Sequence, residues 1–271
     1  MRFHVALLLL GLSTPPLPAA ERGAIEVRPG SVVRWPGEGI VECSQAGRRF
    51  APIAGACLFP IDLLAEGELA VSRRTAAGEA TRRLKIADYP YPTERITGVE
   101  EKYVSPPAGE LARIEREQRE VAALFRRVGP RRFALPLGGP LAVLPEGGRF
   151  GARRIFNGEP RSPHGGTDFR AASGTPVLAP ADGVVALAAE HYFAGRAVYL
   201  DHGDGLISMA FHLSAILGRD GEAVVRGQTI GRVGATGRVT GPHLHFALRW
   251  RGERIEPALL LASPESLPAI E

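Results

Sequence analysis

Four of the chain's seven histidines fall into three short motifs in its second half. His164-Gly-Gly-Thr-Asp168 offers an imidazole and a carboxylate, His243-Leu-His245 two imidazoles, and Phe211-His212-Leu213 one more. Two histidines and an aspartate make a standard set for a catalytic zinc, which keeps a fourth coordination position open for water. A doubly charged ion half-neutralised by one carboxylate acidifies that water and polarises a substrate carbonyl. Imidazoles outside the ligand set can move protons or hold a developing oxyanion. The chemistry indicated is hydrolysis with one Zn2+ per chain.

The spacing says how these side chains must be carried. In His243-Leu-His245 the strand period of two puts both imidazoles on one face and Leu244 on the other, where Phe246 joins it. Gly241-Pro242 allows a sharp entry to that strand. His164 and Asp168 stand four apart, but Gly165 and Gly166 disfavour a helix and suit a loop entering a strand at Thr167. Spacing alone does not choose between His243 and His245 as the third ligand. His191 and His202 read as packing or capping residues. Gly231, Gly234 and Gly237 precede no helix, so they read as a flexible loop beside the site rather than a phosphate cradle. No Gly-x-Ser-x-Gly, P-loop or His-Glu-x-x-His motif competes.

The positioning elements are mainly β. Val177-Leu-Ala179, Gly183–Leu187, Ala197–Leu200, Leu206–Phe211, Ala223–Val225, Thr229–Val233 and His243–Trp250 are short strands. Turns at Asp182-Gly183, Asp204-Gly205 and Asp220-Gly221 separate some of them. They predict a curved antiparallel sheet over residues 134–262, followed by a tail at 263–271. Residues 21–88 carry brief alternating runs and predict a small β domain of sandwich type. Its arginine pairs 48–49, 73–74 and 82–83 read as solvated faces. The linker, residues 89–133, opens with the stiff Tyr89-Pro-Tyr-Pro92. It holds one convincing helix over about 109–128, with Leu111, Ile114, Val121, Leu124, Phe125 and Val128 near one face. Glu115 and Arg119 can pair on the other face, and Gly129-Pro130 ends the helix. The helix and the β domain are placed to cover the cleft of the second domain, which would make the enzyme partly latent.

The chain has 271 residues, room for two domains, and its 45% hydrophobic content is ordinary for a globular protein. Residues 1–20 read as a signal peptide: Arg2, an apolar stretch Val5–Leu12, and Pro18-Ala19-Ala20 as the cleavage site. The mature protein would then be exported, periplasmic or envelope-associated, with no membrane span after cleavage. A net charge of +4 suits a polyanionic envelope without selecting it. No basic run with interleaved aromatics suggests a nucleic-acid partner. Cys43 and Cys57 are the only cysteines. In an oxidising compartment they can close a loop of about 15 residues, stabilising the fold by roughly 3 kcal/mol.

Arg161-Ser-Pro-His-Gly-Gly-Thr-Asp168, Gly174-Thr-Pro-Val-Leu-Ala-Pro180, Asp182-Gly-Val-Val185, His212-Leu-Ser214 and Thr240-Gly-Pro-His-Leu-His-Phe246 run in the order found in the lysostaphin/LytM family of zinc endopeptidases, which this part of the chain resembles. The resemblance spans about 100 residues and does not extend with equal force to residues 21–100. It implies a β-rich LytM-like catalytic domain that cleaves peptide cross-links of bacterial peptidoglycan. It further implies His164, Asp168 and His245 as zinc ligands, with His212 and His243 as a catalytic pair outside the ligand set. Ala210 departs from the tyrosine that the family often has two residues before the central histidine, a position on the substrate side. Asn157, in the approach to the second domain, is a candidate substrate contact. Peptidoglycan is the expected partner, with room for a regulatory envelope protein. The alternative is a non-enzymatic LytM-like envelope protein that binds the wall or activates another hydrolase. Such proteins typically lack metal ligands.

Overall fold

The computed structural model describes residues 24–270, so the signal-peptide reading falls outside the described residues. Near the N-terminus the strands Val32–Pro36 and Ala56–Pro60 pair antiparallel. A five-stranded sheet accompanies them, in the order Ile25–Val27, Gly78–Ile86, Glu68–Thr75, Glu42–Gln45, Arg48–Phe50. Trp35, Phe59, Val33 and Leu84 are buried in one core with Cys43 and Cys57. The two cysteines form a disulfide that ties one sheet to the other. Two of the expected surface arginines do more than face solvent: the Arg73 and Arg82 guanidinium groups lie 4.6 and 5.2 Å from the Trp35 ring centroid. A buried indole offers a cation its π-face, and the aliphatic stems of the arginines cover apolar surface.

The second half is an eight-stranded antiparallel sheet. Its main path runs Ala223–Val224, Gly183–His191, Gly195–Asp201, Leu206–Leu213, Leu244–Trp250, Thr167–Phe169, Gly147–Gly148, with Glu253–Ile255 beside Leu244–Trp250. The central strands do not show the clean alternation of a half-solvated sheet. All but one residue of Leu206–Leu213 is buried. Both faces are covered, which favours continuous apolar runs. On one face Val198, Leu200, Leu206, Phe246, Leu248 and Trp250 form the main core. On the other, Tyr199, Ile207, Met209 and Ala247 meet the linker helix through Leu124, Val121 and Phe125.

That helix spans Ala108–Leu124. It stops a turn short of the expected end, so Val128 leaves the stripe and is 76% exposed; Leu111 is 49% exposed. Glu115 and Arg119 do pair, at 3.6 Å. The helix is held to the hairpin at Glu190–Tyr192, where the Tyr192 backbone N–H donates to Glu117 Oε2 at 2.8 Å.

The linker also supplies a strand, Thr93–Ile96, parallel to Arg153–Phe156. Tyr91 fixes this entry by donating to Pro29 O at 2.7 Å. Its ring sits against Gly151, where an added Cβ would lie 2.4 Å from it. No break in packing separates the N-terminal strands from the large sheet. Val32, Ile53, Ala56 and Leu58 join the main core, and Arg254 grips Asp62 at 2.5 Å. The tail is equally anchored. Ala269 bridges to Arg34 and Ile270 is 1% exposed in the N-terminal core. No helix among the described residues is long and apolar enough to cross a membrane.

Candidate active site

Three neighbouring strands build the centre. Asp168 on Thr167–Phe169 stands opposite His245 on Leu244–Trp250. On the other side Phe211 stands opposite the same His245. Directly paired residues share a face with their Cβ atoms about 5 Å apart, so Asp168, His245 and Phe211 form a row across the sheet. The Phe211 ring stacks on the His245 imidazole at 5.2 Å between centroids, with 9° between planes. His164 enters from the preceding loop, fixed by its backbone N–H to Ala152 O at 2.9 Å. Gly166 has to be glycine: a Cβ there would lie 2.6 Å from Phe246 O and 2.8 Å from His245 Nε2.

The donor atoms converge. His245 Nδ1 is 2.9 Å from Asp168 Oδ1, His164 Nε2 is 3.1 Å from the same oxygen, and the two nitrogens are 2.9 Å apart. A tetrahedral zinc with bonds near 2.05 Å needs ligand edges of about 3.3 Å, so small outward shifts would seat it. The tautomers suit this. His164 Nδ1 lies 2.9 Å from Arg149 O, so Nδ1 carries the hydrogen and Nε2 keeps its lone pair. The other carboxylate oxygen, Asp168 Oδ2, accepts from Arg154 Nη2 at 2.7 Å.

Burial acts against an ionised Asp168, but its bonds to His164 and His245 outweigh that and hold it far below the usual carboxylate range. Burial, partly offset by Asp168, lowers His164 and takes His245 down to about 4. Both imidazoles are therefore neutral at pH 7, the form that binds a metal.

His212 and His243 sit beside this cluster. Their rings are 5.0 Å apart, and His212 is 5.9 Å from the His245 ring. His212 N–H donates at Nδ1 to Thr236 O, 2.9 Å away, which leaves Nε2 free. Burial, then the neighbouring His245 and His243, push the His212 pKa well below its ordinary value. Strict alternation would send His212 to the face opposite Phe211. The strand instead bulges against Arg196–Val198, and His212 adopts φ +65°. A bulge of this kind re-aims a side chain at some local cost in strain. His243 precedes the regular strand, in a bridge to Gly234. Its Nδ1 bonds Gly241 O at 2.9 Å, and its Nε2 is 3.7 Å from Asp168 Oδ1.

The structure thus brings together five of the six residues singled out in the sequence. Asn157 is elsewhere: its carboxamide accepts from Val99 N–H at 3.4 Å and donates to Val99 O at 2.8 Å. Its polar atoms are spent on Val99, in the segment that follows the strand Thr93–Ile96. His202 is fully buried between Asp182 O and Ser208 Oγ, at 2.8 Å each, and His191 bonds the Tyr199 hydroxyl at 3.2 Å. Ala210 is buried in the main core. The glycine loop is packed tightly. A Cβ on Gly234 would lie 2.3 Å from Ser214 N, and one on Gly237 2.4 Å from Gly195 N. Those glycines serve close backbone approach rather than flexibility. Arg154, Phe211 and Arg238 were not singled out by sequence. None has a motif spacing to the ligands, although the β pairing of Phe211 with His245 is implicit once the strand register is known.

Two clefts flank the centre. One, of about 600 Å³, is lined by His164, His212 and His245 and roofed by Ile114, Glu117, Val121 and Phe125 of the helix. The other, of about 680 Å³, is lined by Asp168, His212 and His243 and opens past Gly147 and Thr240.

Comparison with known proteins converges on the same segment. Residues 162–257 match the model of Peptidase family M23. The peptidoglycan DD-endopeptidase ShyA of Vibrio cholerae is 49% identical over 94 residues, which are 35% of this chain and 22% of ShyA. The DD-carboxypeptidase/endopeptidase Mpg of Neisseria meningitidis is 43% identical over 103 residues, 38% of this chain and 24% of Mpg. The chain therefore spans about a quarter or less of the length of these curated relatives. A crystal structure of a Pseudomonas aeruginosa M23 peptidase superposes with a TM-score of 0.64 at 29% identity, covering 90% of this chain and 96% of that one. That likeness takes in the N-terminal strands as well as the large sheet.

Proposed function

We propose that the chain, whose residues 162–257 match the model of Peptidase family M23, is an exported, zinc-dependent endopeptidase that hydrolyses peptide cross-links of bacterial peptidoglycan. The observation that carries this reading is the convergence of His164 Nε2, His245 Nδ1 and Asp168 Oδ1 beside two further imidazoles. His164, Asp168 and His245 would hold the zinc, which supplies a Lewis acid for the scissile carbonyl and an acidified water. Asp168 stays anionic, and Arg154 fixes its orientation from behind. His212, held by Thr236 O with Nε2 facing the cleft, is placed to take or return a proton or to donate to the developing oxyanion. His243, its ring 5.0 Å from that of His212, lines the second cleft with it.

The non-enzymatic alternative expects a decayed ligand set, whereas here all three donors and both extra imidazoles are in place. For a Gram-negative source the expected bond is the D-Ala–diaminopimelate cross-link rather than a glycine bridge, in keeping with the relative named a peptidoglycan DD-endopeptidase. The test is digestion of purified peptidoglycan by the zinc-loaded protein, with the new termini identified by mass spectrometry. Newly freed D-alanine carboxyls and diaminopimelate amines, abolished by a chelator, are expected. Cleavage of glycine bridges alone would reject the substrate, and activity indifferent to chelation would reject the metal.

A further inference from the structure

The two clefts share three residues: Arg154, His212 and Arg238. Arg154 is committed to Asp168 and lies 3.6 Å from Glu94, and His212 is committed to Thr236 O. Arg238 is different. Its backbone N–H donates to Phe193 O at 2.9 Å, and its guanidinium lies against two rings, 4.9 Å from the Phe156 centroid and 4.7 Å from that of Phe193. Among the described residues no carboxylate pairs with it and no acceptor takes its side-chain N–H groups. The nearby charges that act on it are positive, from Arg154 and Arg161. Burial and those two arginines lower its pKa to about 10, which still leaves it charged at neutral pH. A half-buried fork of five donors, held against two aromatic rings and left unpaired in the cleft, is complementary to a carboxylate.

The geometry points to Arg238 as the residue that binds a free carboxylate of the substrate, the one borne by the amine-side residue next to the scissile nitrogen. This rests on the peptidoglycan endopeptidase reading above. In a D-Ala–diaminopimelate cross-link, the carbon attached to the scissile nitrogen carries such a carboxylate. In a glycine bridge that position is an internal peptide and carries none. Arg238 would therefore select for a D,D cross-link at the junction of the two clefts. Phe156 and Phe193 keep its fork aimed while leaving its edge free for a two-pronged bond. The tight turn at Gly237, with φ +75°, brings the arginine to that place.

The test uses two synthetic cross-linked peptides that differ only at this group, one with the carboxylate and one with a carboxamide. Zinc content and melting temperature are recorded for wild type, Arg238→Gln and Arg238→Lys. Wild type is expected to prefer the acid by about 10–100-fold in kcat/KM, the range for a hydrogen bond to a charged group. Arg238→Gln should lose that preference, mostly through a raised KM for the acid, with zinc retained. Arg238→Lys, which keeps the charge but not the fork, should recover part of it. If wild type cleaves both peptides equally, or Arg238→Gln slows both alike, the assignment is overturned while the endopeptidase reading stands. If wild type cleaves neither, the endopeptidase reading falls and takes the assignment with it.

Discussion

Replacing His243 and His245 by alanine, one at a time, separates two roles proposed for histidines two residues apart. His245 supplies one of three donors that lie within 3.1 Å of each other, and its ring is stacked on Phe211. Loss of even an outer partner of a metal ligand typically weakens metal binding about 10–100-fold, so losing the ligand itself should cost more. His245→Ala should emerge from gel filtration nearly free of zinc and inactive. His243 Nε2 is 3.7 Å from Asp168 Oδ1 and its ring hydrogen-bonds Gly241 O, so His243→Ala leaves the three donors where they are. It should stay loaded and lose about 10²–10⁴-fold in kcat, the usual share of a positioned acid–base group. That corresponds to about 2.7–5.4 kcal/mol of barrier. Zinc is measured by elemental analysis and turnover on defined cross-linked peptides. An empty His243 variant beside a loaded His245 variant would mean the roles are exchanged. Two loaded and active variants would refute the placement of the site.

Two other outcomes follow from the packing. Val121→Asp and Leu124→Asp should unseat the helix that roofs one cleft, since both residues pack on Tyr199, Met209 and Ala247 and a buried unpaired charge is costly. Wall digestion should then be faster at equal zinc content; slower digestion by folded variants would give the helix a supporting role instead. His202, its pKa lowered by burial, should make the fold pH-sensitive. The unfolded chain takes up that proton near pH 6.5 while the folded one does so only lower. Stability should therefore decline as pH falls below 6.5, and chemical denaturation should show a shallower decline for His202→Gln.

Much of this was legible in the sequence because the signals were local. The His164 and His245 motifs, the turn glycines and the apolar strand runs each act within a few residues, and the large sheet follows from them. What stayed hidden depends on tertiary register. The period of two places His243 and His245 alike, yet only His245 lies within the regular strand. His212 reaches the cleft through a bulge and a positive φ that no residue pattern encodes. Arg154 and Arg238 lie near the motifs in sequence, but that their side chains reach the centre depends on the parallel pairing of Thr93–Ile96 with Arg153–Phe156 and on the packing of Gly237 on Gly195. The linker and the tail are tied into the fold through Tyr91, Ala269 and Ile270, whose partners lie more than fifty residues away.

The return of residues 268–270 to the strand Val32–Pro36 has a consequence for proteolysis. A protease that cuts the exposed stretch around Arg126–Arg127 would not free the N-terminal strands from the large sheet. Arg34 N–H still donates to Pro268 O at 2.8 Å and Ile270 N–H to Arg34 O at 2.7 Å. Arg254 still holds Asp62, and Arg251 still donates to Leu58 O at 3.0 Å. The nicked chain would travel as one particle on a sizing column and come apart only in denaturant.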